Sequence, residues 1–261
     1  MRVITIANQK GGVGKTTTAI NLATALAAIG KRSLLIDLDP QGNASTGLGI
    51  EKDEREISSY DVLTQGASIE EAALETAVPA LSIVPSTLDL LGLEMEISTA
   101  DRRAYRLRDA LDRHAAAGAK FDFVLVDCPP SLNLLTINAM AAANSVLVPL
   151  QCEFFALEGL SQLLQTVEEV RDSLNPELDL HGIVLTMFDG RNNLAAQVVR
   201  DVRSFMGDSV YQTVIPRNVR VSEAPSFGKP AILYDMKCPG SQAYIALASE
   251  IIQREKQLAA A

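Results

Sequence analysis

Asn8-Gln9-Lys10-Gly11-Gly12-Val13-Gly14-Lys15-Thr16-Thr17-Thr18 decides the fold. It follows a short apolar run, Val3–Ala7, that reads as a buried strand, and it leads into a stretch, Thr16–Ile29, that reads as a helix stopped by Gly30. A strand, a glycine-rich turn and a helix together make a cradle for phosphate. The glycines let backbone N–H groups approach an anion, and the helix N-terminus adds partial positive charge. In such a cradle Lys15 reaches the β- and γ-phosphates and the Thr16 hydroxyl sits on Mg²⁺. The general phosphate-loop pattern has a glycine six residues before its lysine, and here that position is Gln9. A second lysine, Lys10, stands beside the glycines instead. Two readings of Lys10 stay open: a solvated loop charge, or a cation meant for a phosphate outside its own loop.

Working outward, acids end two more apolar runs. Phe123-Val124-Leu125-Val126-Asp127 precedes Cys128-Pro129-Pro130, and Ser33-Leu34-Leu35-Ile36-Asp37 precedes Leu38-Asp39-Pro40-Gln41-Gly42. In a doubly wound sheet, ligands bind at the carboxyl edge of the strands, where Asp127 can serve Mg²⁺ or simply cap the next loop. Asp37 and Asp39 are two residues apart and share one face of an extended chain. Asp39, beyond the strand end, can reach an attacking water, while Asp37 can tune the metal shell; alternatively one of the pair caps the turn at Pro40-Gln41-Gly42.

Further strand-like runs are Leu81–Val84, Ser145–Pro149, Gly182–Thr186 and Ser209–Ile215. Helical patterns cover Asp101–Ala117, Leu132–Ala142, Ala156–Leu174, Leu194–Phe205 and Ser241–Gln257. Near-continuous apolar strands imply burial on both faces. The expected fold class is therefore α/β: a doubly wound, mostly parallel sheet with helices on both sides. Residues 51–80 carry eight carboxylates against two basic side chains and read as a surface excursion with short helices. The expectation is one domain over residues 1–261, with no helix-turn-helix unit ahead of the first strand.

Composition narrows the function. The net charge is −9 over 261 residues, which by itself argues against nucleic acid. Yet residues 181–240 hold seven basic side chains (Arg191, Arg200, Arg203, Arg217, Arg220, Lys229, Lys237) against five acidic ones, so a local basic face can exist. Cys128, Cys152 and Cys238 form no Cys-x-x-Cys pair and read as reduced, buried thiols. No apolar run is long enough to span a bilayer.

These stretches carry a resemblance. Residues 10–17 resemble the deviant Walker A loop of the ParA/MinD group of ATPases. Asp37–Asn43 resembles that group's second acidic motif, and Val126–Ser131 its Walker B strand and switch. Gln151–Leu160 and Ile215–Pro225 are similar to the chromosomal ParA, or Soj, branch. The resemblance runs from Met1 to about Ser249. It implies an ATP-sandwich homodimer with Mg²⁺, in which Lys10, Gly11, Gly12, Val13, Gly14, Lys15, Thr16 and Thr17 contact nucleotide. Lys10 would cross to the partner's ATP. Lys10, Lys15 and Asp39 would be catalytic, with Asp39 positioning water. Thr16, Asp39 and Asp127 would serve the metal, and Pro216 and Asn218 would lie near the adenine. It further implies non-specific double-stranded DNA binding through Arg191 and Arg220, a DNA-bound ParB-like activator, and a cytoplasmic, nucleoid-associated ATPase that partitions chromosomes or plasmids.

Two other classes share the scaffold. A MinD-like membrane-cycling ATPase needs a C-terminal amphipathic helix, whereas the tail Ile251–Ala261 has few large apolar residues. An iron–sulfur reductase needs exposed cysteines facing one cluster, and the three here lack that context.

Overall fold

The computed structural model describes residues 1–118, 120–153 and 156–258. Phe154 and Phe155, within the Gln151–Leu160 motif, and the terminal Ala259–Ala261 lie outside the described residues. The strands are β1 (Arg2–Ile6), β2 (Ser33–Asp37), β3 (Leu74–Glu75), β4 (Leu81–Val84), β5 (Phe123–Asp127), β6 (Ser145–Gln151), β7 (Asp179–Phe188) and β8 (Val210–Pro216). They form one eight-stranded sheet in the order β3-β4-β2-β5-β1-β6-β7-β8. All neighbouring pairs are parallel except β3 with β4. The sequence reading missed β3, whose two residues are too short for any periodicity to register.

The long helices are α1 (Lys15–Ala28), α2 (Arg106–Ala116), α3 (Leu134–Ala142), α4 (Ala156–Ser173), α5 (Asn193–Met206) and α6 (Pro239–Leu258). Five of the six fall within two or three residues of the expected bounds. The exception is α2, which begins at Arg106 rather than Asp101, because Arg102 takes φ 56° and residues 103–105 form a 3-10 turn instead.

Strand alternation sorts the core into two layers. Val3, Leu34, Ile36, Val124, Val126, Val146 and Val148 face one side, under α2–α5. Ile4, Ile6, Leu35, Leu125, Leu147, Tyr211 and Ile215 face the other, under α1 and α6. Burial on both faces explains why the strands read as unbroken apolar runs. The acidic excursion folds as expected into short helices. Two of them start on capping boxes, Ser58 with Asp61 and Ser68 with Glu71, in which the serine and the acid satisfy each other's backbone N–H groups.

All seven long strands run the same way, so their carboxyl ends share one edge. In register there, Ile6 pairs with Asp127 and Asp37 with Asp127. The topology thus brings the loop after β1 and the acids of β2 and β5 to one place.

Candidate functional site

Residues 7–14 wrap the N-terminus of α1. Gly12 and Gly14 hold φ of 75° and 90°, the left-handed region that a side chain resists. Gly14 is the residue at the mouth of α1, with no side chain capping the helix, so the first-turn N–H groups face outward for an anion. The loop is bolted down from three sides. Asn8 is buried; its Nδ2 donates to the Pro149 carbonyl of β6 (2.8 Å) and its Oδ1 accepts from the Lys10 N–H (3.0 Å). Thr186 Oγ1 of β7 donates to the Val13 carbonyl (2.8 Å). Thr18 Oγ1 meets the Tyr244 hydroxyl of α6 (3.3 Å).

The two lysines have different environments. Lys15 is 6% exposed and its ammonium has one hydrogen-bond partner among the described residues, the Lys10 carbonyl at 3.1 Å. An ammonium carries three donors, so Lys15 is buried with donors to spare. Burial lowers its pKa, against the pull of Asp127, Cys128 and Asp39. Lys10 is exposed, and its Nζ pairs with Glu153 Oε2 at 2.7 Å.

A cavity of about 650 Å³ opens on the loop. It is lined by Gly11, Gly12, Gly14, Lys15, Thr16 and Thr17 from the first motif, Asp39, Pro40, Gln41 and Asn43 from the second, and Pro129, Pro130, Ser131 and Asn133 from the third. Three motifs far apart in sequence therefore meet at one void. A smaller cavity of about 80 Å³ shares Gly14, Thr17 and Met187 with it and is lined by Pro216, Arg217 and Asn218. This puts the two residues expected near a base next to the phosphate loop. Asn218 Oδ1 accepts from the Val221 N–H as a helix cap (3.3 Å), which turns its amide nitrogen away from that cap.

The acids divide their labour. Asp127 is fully buried at the end of β5, and among the described residues neither carboxylate oxygen has a hydrogen-bond partner. Burial and then the neighbouring Asp37 charge push its pKa well up; Thr16, near it but outside hydrogen-bond geometry, and Lys15 act in the opposite sense. A buried, unpaired carboxylate is costly. Its adjacency to Thr16 and Asp39 fits a Mg²⁺ site with one or two protein ligands and several waters. Asp39, 8% exposed, lines the large cavity, with Oδ1 accepting from the Gln41 N–H (3.0 Å).

Asp37 departs from the expectation that it could tune a metal shell. Its Oδ1 accepts from the Asp39 N–H (3.2 Å), and its Oδ2 accepts from the Ser45 N–H (2.9 Å) and hydroxyl (2.7 Å). It is fully buried, and burial raises its pKa to about 6. Asp37 is an internal brace of the second motif. The turn at Pro40-Gln41-Gly42 is capped by Asp39, whose Oδ1 takes the Gln41 N–H, and not by Asp37.

Arg191 lies in the loop that follows β7 and Arg220 in the short helix Val219–Glu223 that follows β8, and neither lines either cavity. Both are exposed and both are met by local acids. Arg191 makes a two-pronged pair with Asp189 (2.9 and 2.7 Å), whose pKa the guanidinium hydrogen bonds hold down at about 2. Arg220 pairs with Glu223 (3.1 Å) and approaches Asp235 (3.8 Å). The basic face is thus trimmed by carboxylates. The three cysteines are free and buried, as expected. Among the described residues no helix is long and apolar enough to cross a membrane.

Sequence reasoning missed Asn8, Thr186 and Met187 as parts of the site. Met187 borders both cavities with φ 52°, a strained value for a side chain of its size. No pattern in the chain marks it.

Comparison with known proteins agrees with this geometry. A family description, an AAA domain, matches residues 1–180. The chromosome partitioning protein ParA of Caulobacter vibrioides is 63% identical over 256 residues, covering 98% of this chain and 96% of its own length. The sporulation initiation inhibitor protein Soj of Bacillus subtilis is 52% identical over 250 residues, covering 96% and 98%. Among solved structures, a cobyrinic acid a,c-diamide synthase from Mycobacterium smegmatis with bound ADP and magnesium superimposes with a TM-score of 0.84 at 36% identity, covering 98% of this chain and 96% of that one.

Proposed function

The chain belongs to the ParA/Soj family of chromosome-partitioning ATPases, and on that premise we propose that it is a Mg²⁺-dependent ATPase whose ATP-bound homodimer grips DNA without sequence preference. In this reading a DNA-bound, ParB-like partner stimulates hydrolysis and release, and the cycle takes place on the nucleoid in the cytoplasm. The described chain acts as one catalytic domain.

The observation that supports it most is the contrast between the lysines. Lys15 is buried in the cavity with donors unfilled, so it serves its own subunit's phosphates. Lys10 stands at the rim, paired with a half-exposed glutamate, and is placed to serve a phosphate on a second subunit. Within one subunit the work is positioning and charge compensation, which is most of what phosphoryl transfer asks of a protein. The loop N–H groups and the start of α1 hold the phosphate oxygens. Lys15 neutralises developing charge. Asp39, clear of the sheet, orients the attacking water. Thr16, Asp39 and Asp127 would hold the metal, which when bound compensates phosphate charge and relieves the unpaired Asp127. Pro216 and Asn218 would line the base. Arg191 and Arg220, doubled by dimerisation, would meet DNA phosphates, where charge without base reading suffices.

A DNA-binding titration with ADP, ATP and a slowly hydrolysed analogue, at two salt concentrations, tests this. Tight binding should need the triphosphate and weaken steeply with salt. Equal binding with ADP, or a subunit that stays monomeric with the analogue and Mg²⁺, would refute the reading.

A further inference from the structure

The backbone of Asp39 is fastened at both ends. Its N–H donates to Asp37 Oδ1 at 3.2 Å, and its carbonyl accepts the Ser86 hydroxyl at 2.6 Å. Ser86 lies two residues past β4, outside all of the motifs. It is fully buried and is itself held twice. Its N–H donates to Ser45 Oγ (3.0 Å), which donates on to Asp37 Oδ2 (2.7 Å). Its carbonyl accepts from Arg55 Nη1 (3.0 Å). Arg55, 8% exposed, also donates through Nη2 to the Thr46 hydroxyl and the Ile50 carbonyl, both at 2.8 Å. Asp37, Asp39, Ser45 and Ser86 close a ring of hydrogen bonds around the loop that carries Asp39, and Arg55 braces the ring at Ser86.

Leu38 packs into the core and Pro40 is buried, while Gln41 is exposed. A second void of about 310 Å³ is lined by Pro40 and Gln41 together with Arg55, Ser86 and Leu88. Pro40 and Gln41 border both cavities, and the hydrogen bonds to the Asp39 N–H and carbonyl fix the backbone that carries the carboxylate. We infer that Ser86, braced by Arg55, is a positioning residue for hydrolysis, which sets where the Asp39 carboxylate stands relative to the attacking water. The inference rests on the water-orienting role proposed for Asp39. Because the bonds reach Asp39 through its backbone, their loss displaces the carboxylate without changing its chemistry. A displacement of about 1 Å in a reacting geometry can cost on the order of 100-fold in rate. The phosphate loop, Lys15 and the base cavity take no part in the ring, so nucleotide affinity should fall less than turnover.

The test uses the full chain with Ser86→Ala, Ser86→Thr, Arg55→Lys and Asp39→Ala, measuring melting temperature, Mg²⁺·ATP affinity and single-turnover hydrolysis at saturating ATP. For Ser86→Ala the expected result is a turnover loss of about tenfold or more with a several-fold smaller loss of affinity, because Asp39 is one of several contacts to metal and phosphate but the one that positions the water. Ser86→Thr keeps the hydroxyl and should keep most of the rate. Arg55→Lys retains one donor towards the Ser86 carbonyl and should fall between. A Ser86→Ala protein that melts lower yet turns over normally overturns the inference, as does one that loses affinity and rate in equal measure. Asp39→Ala separates the two claims. If it hydrolyses ATP normally, the role of Asp39 itself is wrong. If it is inactive while Ser86→Ala is unimpaired, only the positioning claim fails.

Discussion

Lys10 Nζ stands 2.7 Å from Glu153 Oε2, a pair between the rim of the phosphate loop and the segment that follows β6. Both side chains are close to half exposed, and such pairs contribute about 0–1 kcal/mol. The contact parks the lysine without trapping it. A triphosphate presented by a second subunit offers a denser anion and stronger, charge-assisted hydrogen bonds. Lys10→Gln should therefore leave ATP binding by the single subunit largely intact and abolish the ATP-dependent dimer, as read by light scattering with a slowly hydrolysed analogue. Glu153→Gln should shift the dimerisation midpoint by no more than about fivefold, the equivalent of ~1 kcal/mol. A Lys10→Gln protein that still dimerises would return Lys10 to an ordinary loop charge.

Lys15 makes the complementary prediction. Its ammonium is buried with one protein hydrogen bond, so the site is built around an anion that the protein does not supply. A hydrogen bond to a charged group is worth ~1.5–3 kcal/mol, and Lys15 can give several to phosphate oxygens. Lys15→Ala should weaken ATP binding by at least 100-fold in equilibrium titration, with the fold retained by circular dichroism. Near-parental affinity would remove Lys15 from the cradle.

Asp127 predicts opposite effects on the empty and loaded protein. Its oxygens are buried and unpartnered, and burial with the Asp37 charge raises its pKa. An unsatisfied buried group costs ~1–3 kcal/mol, more if charged, and each kcal/mol moves the melting temperature of a chain this size by ~2–4 °C. Asp127→Asn, neutral and of the same shape, should raise the melting temperature of the nucleotide-free protein by several degrees. The same variant should lose the extra stabilisation that Mg²⁺ adds to bound nucleotide, and chelating Mg²⁺ from the parent should reproduce that loss. A variant that is less stable when empty and still responds to Mg²⁺ would mean that Asp127 is structural.

What could be read in advance follows the physics of each feature. The parallel sheet was legible because strands buried on both faces carry near-unbroken apolar runs, as in Phe123–Asp127, and the phosphate loop because only glycine suits φ of 75° and 90° at Gly12 and Gly14. Strand-end acids were legible as a set, but their division of labour was not. Asp37 and Asp39 look alike in sequence, and only the fold reveals that Ser45 and the Asp39 N–H use up the first. The Ser86 and Thr186 hydroxyls each act through one hydrogen bond to a backbone carbonyl distant in sequence, and Arg55 through bonds to Ser86, Thr46 and Ile50, none of which leaves a local pattern. The basic excess in residues 181–240 was legible as charge, but the clamps of Asp189 on Arg191 and Glu223 on Arg220 depend on side-chain geometry.

That clamp on Arg191 yields the last prediction. The guanidinium is highly exposed yet held by both oxygens of Asp189, and the same hydrogen bonds depress the Asp189 pKa to about 2. At neutral pH the pair is fully charged and cancels to zero net charge, so a DNA phosphate must compete with a carboxylate already in place. Arg191→Glu should abolish DNA retention while leaving dimerisation and unstimulated ATP hydrolysis unchanged, since neither Arg191 nor Asp189 lines the nucleotide cavity. Asp189→Asn keeps the loop's shape and removes the competitor, so it should tighten DNA binding at a given salt. Each phosphate contact contributes about −0.9 to the slope of log K against log salt. A symmetric dimer that loses Arg191 should therefore show a slope shallower by about 2. DNA binding by Arg191→Glu with the parental affinity and slope would place the DNA surface elsewhere on the dimer.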